Sequence, residues 1–399
     1  MKIIHTSDWH LGQNFHGYDR REDHYHMIGQ LVALVGREQP DALVIAGDVY
    51  DVGAPAASVM KDFSRYMVAL HDACKDMAIV CISGNHDSAS RHVIFQEPWE
   101  ALGVYMIGRA NVEDLAPNIV KVGDKGYVVA VPYTHERFLD DDFYDRLEAE
   151  VRRICGRDTL PIIYTGHASI TDCDYDGHDK VADRYIGNIE CTSVECIGKS
   201  YDYIALGHIH KEQTFYGGRA RYCGSPVAVS FDEVKPGYEH GFTVVEIAAR
   251  GADVRISKVP VIMKRPLVNI PSSGFASWND VLKELMDFPD DTDAYIRLNV
   301  ELEAGESLPY DQKAQIANAM NGKVAVCCQV NPKRKIMQTP AGGSVAAPME
   351  LEELKKEDPL NLIRRYFSSQ GVPFTKDFEE MLHEAFQAAN YQSDEDKDA

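Results

Sequence analysis

The sequence predicts an α/β sandwich for residues 1–259, a small α+β unit for residues 260–338 and a pair of helices near the C-terminus. Short apolar runs alternate with amphipathic stretches through the first region, as expected for a sheet flanked by helices. After Leu206 the apolar runs lie closer together and are joined by glycine turns, which indicates antiparallel strands in a second sheet that closes the sandwich. Near the C-terminus, bulky residues recur at helical spacing on either side of Gly371.

The strands of the first region are assigned from its apolar runs. Between the first two runs, Asp23–Glu38 carries apolar residues at helical spacing, and Pro40 then marks the return of the chain to the sheet. The candidate strands up to Leu206 are Lys2–Thr6, Ala42–Ala46, Ala78–Ser83, Tyr127–Val131, Pro161–Thr165 and Tyr203–Leu206. The later candidates are Thr214–Tyr216, Ala220–Cys223, Gly241–Ile247 and Asp253–Val259.

A change of composition near Pro260 predicts a domain boundary. The α+β unit beyond it has the candidate strands Pro266–Ile270, Ala294–Val300 and Val324–Val330, and the candidate helices Ser277–Asp287 and Tyr310–Ala319. Residues 339–348 lack charge, which is typical of a flexible linker. The C-terminal helices, Pro359–Gln370 and Lys376–Ala389, lie within residues 349–392, and residues 393–399 form an acidic tail that we expect to be disordered.

Composition limits the classes of function. The chain of 399 residues has a net charge of -21, so overall charge could not hold a nucleic acid, and a phosphate-binding site must be local and metal-assisted. Nine cysteines without a C-x-x-C pair indicate neither a disulfide framework nor a cysteine zinc site. Because no apolar run reaches the length of a membrane span and no signal peptide is apparent, we expect a cytoplasmic protein.

Five short polar clusters each follow an apolar strand. Because ligands gather at the carboxyl ends of strands in α/β sheets, we expect these clusters to converge on one site. One cluster alone would occur by chance, but five in this order predict a metal centre. Asp, His and Asn side chains, with no thiolate, suit manganese, magnesium or iron, and zinc is possible. The clusters are Asp8-Trp9-His10, Gly47-Asp48-Val49-Tyr50-Asp51, Gly84-Asn85-His86-Asp87, Gly166-His167 and Gly207-His208-Ile209-His210.

These motifs resemble the signature of the calcineurin-like metallophosphoesterases. Within that superfamily, Thr6–Gly12 and Arg20–His24 are similar to the nuclease subunits that process DNA double-strand breaks in bacteria. The resemblance implies a sandwich of two mixed sheets flanked by helices, with residues 260–338 as a capping domain. It also implies that residues 349–392 bind a partner ATPase of the SMC-like type, in a heterotetramer that contains a homodimer of this chain.

The resemblance implies a role for each motif residue. Asp8, His10, Asp48 and His210 would hold one divalent cation, and Asp48, Asn85, His167 and His208 a second, with manganese preferred. His86 matches the histidine that stabilises or protonates the leaving 3′ oxygen. Asp51 matches the carboxylate that pairs with this histidine in related phosphatases, although a histidine stands there in archaeal and eukaryotic relatives of the nuclease.

Three arginines that follow metal motifs, Arg20, Arg21 and Arg91, are candidates for contacts with DNA phosphates, and a solvated surface arginine is an equally good interpretation of each. The implied activity is manganese-dependent cleavage of DNA, as an exonuclease on duplex ends and an endonuclease on single strands and hairpins. Two alternatives stay open at this point: a small-molecule phosphodiesterase or phosphoprotein phosphatase on the same fold, and a noncatalytic scaffold.

Overall fold

Two six-stranded sheets pack face to face in the computed structural model of the chain, which describes residues 1–135, 139, 142–171, 173–174, 191–303, 305–335, 364 and 381–382. Strands and helices are numbered in chain order. The first sheet has the order β16 (Val254–Pro260), β15 (Gly241–Ile247), β1 (Lys2–Thr6), β4 (Ala42–Ala46), β5 (Ala78–Ile82), β6 (Val104–Ile107). The second has the order β13 (Gln213–Phe215), β14 (Ala220–Tyr222), β12 (Tyr203–Gly207), β9 (Ile162–His167), β8 (Gly126–Val131), β7 (Ile119–Val122).

Both sheets are mixed, which confirms the expected sandwich. In the first, β1, β4, β5 and β6 are parallel, whereas β15 is antiparallel to β1 and β16 antiparallel to β15. In the second, β8, β9, β12 and β14 are parallel, with antiparallel strands β7 and β13 at the edges. The late strands therefore do not form a sheet of their own, because β15 pairs with the otherwise open edge of β1 while β13 and β14 extend the second sheet.

Apolar side chains fill the space between the sheets, and helices cover the outer faces. Ile3, Val44 and Val80 of the first sheet pack in one cluster with Val128 and Ile163 of the second. Helices α1 (Arg21–Glu38) and α2 (Ala57–Ala73) bury their apolar faces on the first sheet, and α5 (Phe143–Cys155) does so on the second. Shorter elements are β2 (Asn14–Phe15), β3 (Tyr18–Asp19), α3 (Ala89–His92), α4 (Gln96–Glu100), β10 (Ser169–Ile170), β11 (Cys191–Thr192) and α6 (Val194–Ile197).

The α+β unit has its expected elements in the expected order. A parallel sheet of β17 (Leu267–Ile270), β18 (Tyr295–Leu302) and β19 (Val326–Arg334) packs against α7 (Trp278–Asp287) and α8 (Gln312–Ala319). Ser277 caps α7 by accepting a hydrogen bond from the Asp280 amide at 3.3 Å. Apart from residues 364, 381 and 382, the linker, the C-terminal helices and the acidic tail lie outside the described residues.

The α+β unit is seated on the sandwich through a separate apolar cluster. Phe15 and Phe231 of the sandwich pack there with Leu267 and Tyr295 of the unit. The Tyr295 hydroxyl also donates to Asp23 Oδ2 at 3.2 Å, which ties the unit to α1. Within the described residues, no helix is long and apolar enough to cross a membrane. The contacts of Phe15, Phe231 and Asp23 with the α+β unit seat this unit over the end of the sandwich where the polar clusters meet.

Candidate metal centre

The five polar clusters lie together at the carboxyl ends of parallel strands. Asp8 and His10 follow β1, Asp48 follows β4, and Asn85 follows β5, all in the first sheet. The second sheet supplies the remaining histidines, since His167 ends β9 and the pair His208 and His210 follows β12. Both sheets thus present their carboxyl ends to one place, as the strand pattern predicts.

The loops that carry these residues are strained and held in place. Asp8, His10, Asp48 and His208 have φ values of 53°, 47°, 48° and 102°, in a region that costs a non-glycine residue about 1–3 kcal/mol. Backbone hydrogen bonds lock the loops: the Asp8 amide donates to Gly47 at 3.0 Å, and the His10 amide donates to Asp48 at 3.1 Å. The His208 amide donates to the Asp8 carboxylate at 3.1 Å, across the two sheets. The surrounding structure therefore compensates the strain.

Two glycines allow the clusters to approach each other. A Cβ on Gly207 would stand 1.9 Å from the carbonyl oxygen of Ala46, and one on Gly84 would stand 2.1 Å from Oδ1 of Asp48. Neither distance is possible for a larger residue without movement of the backbone. The glycine before His208 and the glycine before Asn85 are therefore required by packing.

One set of donor atoms surrounds His10. Its Nε2 lies 3.2 Å from Nε2 of His210 and 3.8 Å from Oδ2 of Asp48, and Nε2 of His210 lies 3.9 Å from Oδ1 of Asp8. Asp8, His10 and Asp48 are almost fully buried. Because metal–ligand bonds of about 2.0–2.2 Å put neighbouring ligands about 3 Å apart, this set fits a divalent cation.

A second set surrounds His167. Its Nε2 lies 3.4 Å from Oδ2 of Asp48 and 3.0 Å from Oδ1 of Asn85, which is also 3.0 Å from Nδ1 of His208. Asp48 thus has the same oxygen directed toward both sets, as a bridging ligand requires. The structure brings together all seven residues for which the sequence predicts metal contact, and their assignment as ligands stays a prediction.

Hydrogen bonds fix the ring orientation of three histidines. Nδ1–H of His167 donates to the Ala46 carbonyl at 2.8 Å, and Nδ1 of His210 lies 2.9 Å from Oε1 of Glu233. Nδ1–H of His86 donates to the carbonyl of Asp51 at 2.8 Å. With the proton on Nδ1, the lone pair of Nε2 is available for a metal. The oxygen partners of His167 and His210 therefore favour the tautomer that a metal ligand needs.

Charge and burial oppose each other in this centre. Burial lowers the pKa of His167, but the adjacent Asp48 carboxylate outweighs burial and raises that pKa to about 9. Burial likewise lowers the pKa of His210, and Glu233 raises it to about 9. Burial raises the pKa of Asp48, whereas His167 and His10 hold it well below its usual range. In the absence of metal the centre therefore binds protons at His167 and His210, and a cation must displace them.

His86 contacts the backbone of Asp51, whereas the resemblance implies a pair between His86 and the Asp51 carboxylate. The Asp51 carboxylate lies 3.3 Å from Nδ1 of His10, and it is the backbone carbonyl of Asp51 that accepts the hydrogen bond of His86. The orienting group of His86 is thus independent of the side chain at position 51. His86 also has a ring nitrogen within 4.8 Å of donor atoms of His10 and Asp48, so it is within reach of the first cation site.

Two carboxylates that support the centre were not predicted from the sequence. Asp87 accepts backbone N–H groups of Val49, Tyr50 and Gly84 at 3.1, 2.9 and 2.8 Å, so it joins the loops after β4 and β5. Glu233, the partner of His210, ends a 3-10 helix at Phe231–Glu233. The only sequence signal for Glu233 is the capping box with Ser230, which predicts a helix start and no contact with a metal ligand.

The centre opens into a cavity of about 430 Å³. His16, at the turn between β2 and β3, and Phe231 line one side of it. The α+β unit contributes Arg297 and Gln329 to the wall, so the cavity is lined jointly by the sandwich and this unit. A substrate phosphate at the metals would therefore also face the α+β unit.

The expectation that Arg20 contacts DNA is wrong. Arg20 is 1% exposed, and its Nη1 donates to the Ala228 carbonyl at 2.5 Å and to Oε1 of Gln13 at 3.1 Å, so the guanidinium is used inside the protein. Arg21 is half exposed but forms a double hydrogen bond with Asp62 at 2.5 and 2.8 Å. Arg91 is exposed on α3, beside the loop that carries His86. Contact of Arg21 or Arg91 with a nucleic acid stays a prediction.

The sequence of the chain is similar to those of known proteins. Residues 1–212 match the family model of the calcineurin-like phosphoesterases. The chain is 31% identical over 343 residues to the SbcD subunit of the SbcCD nuclease of Escherichia coli K12, with 78% of this chain and 84% of that protein covered. The chain belongs to the SbcD family of calcineurin-like phosphoesterases. It is therefore a metal-dependent nuclease subunit, and the relatives do not favour the phosphatase alternative.

Two further SbcD proteins and one solved structure are also similar to this chain. The SbcD protein from Bacillus subtilis is 30% identical, with 67% of this chain and 71% of that protein covered. The SbcD protein from Rhodobacter capsulatus is 28% identical, with 71% and 75% covered. A dimetal phosphatase from Danio rerio has a TM-score of 0.38 and 13% identity, covering 66% of this chain and 99% of its own.

Proposed function

We propose that this member of the SbcD family hydrolyses DNA phosphodiester bonds with two divalent cations, preferably manganese. The observation that supports this most directly is the pair of donor sets that share Oδ2 of Asp48. Asp8, His10, Asp48 and His210 hold one cation, and Asp48, Asn85, His167 and His208 hold the other. Cations held by these residues would supply Lewis-acid chemistry, lowering the pKa of a bound water and neutralising charge on the phosphodiester.

The residues around the metal sites orient the ligand side chains and exclude bulk water. Glu233 and the Ala46 carbonyl keep Nδ1 of His210 and His167 protonated, so that Nε2 points to the cations. Asp87 holds the loops after β4 and β5 at a fixed distance. The buried positions of Asp8 and Asp48 keep bulk water from their carboxylates. The chain thus supplies a preorganised site that needs little rearrangement during the reaction.

His86 acts on the leaving oxygen. Its Nδ1–H is held by the Asp51 carbonyl, which leaves Nε2 free to carry a proton toward the cavity. A general acid must stand within hydrogen-bond reach of the departing oxygen, and a ring beside the metal ligands His10 and Asp48 meets this requirement. Asp51 contributes through its backbone, while its carboxylate is close to His10.

The chain binds its DNA substrate together with a partner protein. Because the chain has a net charge of -21, its own affinity for DNA is weak, and an SbcC-type SMC-like ATPase supplies much of the binding surface. Residues 349–392 bind this partner, and two copies of the chain join it in a heterotetramer in the cytoplasm. Arg91 and Arg21 are the basic residues retained as candidate contacts to the DNA backbone. Duplex ends, single strands and hairpins are the substrates.

The proposed function corresponds to a division of the chain into two domains, a linker, a partner-binding segment and a tail. Residues 1–259 form the nuclease domain, and residues 260–338 form the capping domain that lines one side of the cavity. Residues 339–348 are the linker, and residues 393–399 are the acidic tail. β16 ends at Pro260 and β17 begins at Leu267, which supports a boundary between them.

A cleavage assay tests this proposal. The purified chain is incubated with a labelled single-stranded oligonucleotide and, separately, with p-nitrophenyl phosphate, each with manganese, magnesium or a chelator. A nuclease of this type cleaves the oligonucleotide with manganese and not with the chelator, and prefers it to the monoester. Preference for the monoester would favour a phosphatase, and loss of both activities with intact manganese binding would favour a scaffold.

A further inference from the structure

The 3-10 helix Phe231–Glu233 lies between a metal-ligand histidine and the capping domain. Its last residue, Glu233, is the hydrogen-bond partner of His210 Nδ1 at 2.9 Å. Its first two residues face β17 and β18 of the cap. A short segment of chain therefore contacts the metal centre at one end and a different domain at the other.

Glu233 has little freedom to move independently of this segment. Its Oε2 accepts hydrogen bonds from the Val229 amide at 2.9 Å and from the Ser225 hydroxyl at 3.1 Å, and its Oε1 accepts the Ser230 amide at 3.1 Å. The side chain is buried, so each of these bonds would be costly to lose. Any displacement of the segment is thus passed to the carboxylate that orients His210.

Two side chains of the cap hold the other end of the segment. Nη1 of Arg297 lies 2.6 Å from Oδ1 of Asp232, and the guanidinium stacks over the Phe231 ring with its carbon 5.3 Å from the ring centre. Asn269 donates from Nδ2 to the Phe231 carbonyl at 3.1 Å and accepts from Nε of Arg297 at 2.9 Å. Arg297 is buried and part of the cavity wall, where an ion pair is less screened than at the surface.

We propose that Arg297 and Asn269 are positioning residues for the metal centre, acting on His210 through Asp232, Phe231 and Glu233. The proposal rests on His210 being a metal ligand, as in the function proposed above. It assigns the capping domain a role in cation binding: the cation held by His210 binds tightly only while the cap is seated on the 3-10 helix. Arg297 does not need to touch substrate for this effect.

The expected loss of manganese affinity follows from the behaviour of groups that orient metal ligands. Loss of such a partner costs about 10–100-fold in metal affinity or activity. Glu233→Gln removes the charge next to His210 and keeps the size of the side chain, so it should weaken manganese binding by that factor. Arg297→Gln acts one step further away and should weaken binding by roughly tenfold, near the lower limit.

The experiment measures manganese binding by the full-length chain, by electron paramagnetic resonance of free Mn²⁺ during titration. The variants are Glu233→Gln, Arg297→Gln and the double variant, with thermal melting as a check on folding. The control is Tyr295→Phe, which removes another contact between the cap and the sandwich, the hydrogen bond to Asp23, and leaves the 3-10 helix intact. Asp232→Asn probes the Arg297 contact from its more exposed side, in case Arg297→Gln does not fold.

The expected result is weaker binding of one cation in Arg297→Gln and Asp232→Asn, with Tyr295→Phe like the wild type. Because Arg297 acts through Glu233, the double variant should be no more than about twofold weaker than Glu233→Gln alone. Wild-type manganese affinity in Arg297→Gln would overturn the inference, and if Arg297→Gln does not fold, wild-type affinity in Asp232→Asn would do so. Independent effects of the two substitutions in the double variant would also overturn it. So would a loss of affinity in Tyr295→Phe equal to that in Arg297→Gln. A wild-type chain that binds no manganese would instead overturn the proposed function, so the two failures are distinct.

Discussion

Replacement of Asp48 by asparagine should abolish most nuclease turnover and leave the fold intact. Asn has nearly the same shape as Asp, and its amide oxygen can still accept the His86 amide, which now donates to Oδ1 at 2.8 Å. The change removes one negative charge that lies 3.4 Å from His167 and 3.8 Å from His10. Because Asp48 belongs to both donor sets, both cations lose their shared counter-charge.

The magnitude follows from this geometry. A bridging carboxylate contributes several kcal/mol of charge stabilisation in a two-metal site, and a loss of about 4 kcal/mol corresponds to about a thousandfold in rate. The same substitution also changes the titration of the His167 imidazole. Burial lowers the pKa of His167 and Asp48 raises it to about 9, so removal of the carboxylate should lower the pKa of His167 from that value.

Two measurements check the prediction: single-turnover cleavage of a single-stranded oligonucleotide with manganese, and an NMR titration of the His167 imidazole in the presence of a chelator. The matched control is Asp202→Asn, which removes another buried carboxylate, one that accepts the amides of Ile162 and Gly251 at 2.8 and 2.6 Å away from the metal centre. Asp202→Asn should keep its turnover. Activity of Asp48→Asn within tenfold of the wild type would refute a mechanism built on this bridge.

Four other outcomes are expected. His86→Ala should keep two cations yet lose most turnover on an oligonucleotide and less on an activated aryl phosphodiester, which leaves without a proton; equal losses would count against a general acid. Manganese affinity should rise between pH 6.5 and 9, about tenfold per unit for each proton displaced, because the pKa values of His167 and His210 are raised to about 9; a flat titration would contradict this. Arg20→Gln should lower the free energy of unfolding by about 3 kcal/mol in a denaturant titration without a specific loss of DNA affinity in the folded protein, since it leaves buried partners unpaired. A chain truncated at Gly343 should stay folded and cleave single strands but no longer co-purify with its ATPase; precipitation would mean that the C-terminal segment belongs to the core.

The sequence alone determined the features that are local in the chain. A short apolar run followed by Gly-Asp or Gly-His predicts a strand with a polar residue at its end, and parallel strands place such ends side by side. This reasoning was sufficient to place Asp48, His167 and His208 at one site. It also located the five elements of the capping domain, because helical and strand periodicities are properties of neighbouring residues.

Only the tertiary structure decided features that depend on residues far apart in the chain. Late strands join both sheets because β15 completes the edge of β1, more than two hundred residues away in sequence. Arg20 is buried because Ala228 and Gln13 surround it, and a motif cannot distinguish such an arginine from an exposed one. Glu233 orients His210, and Arg297 of the cap holds the residue next to Glu233. These contacts come from the packing of separate chain segments, and the packing leaves no periodic pattern in the sequence.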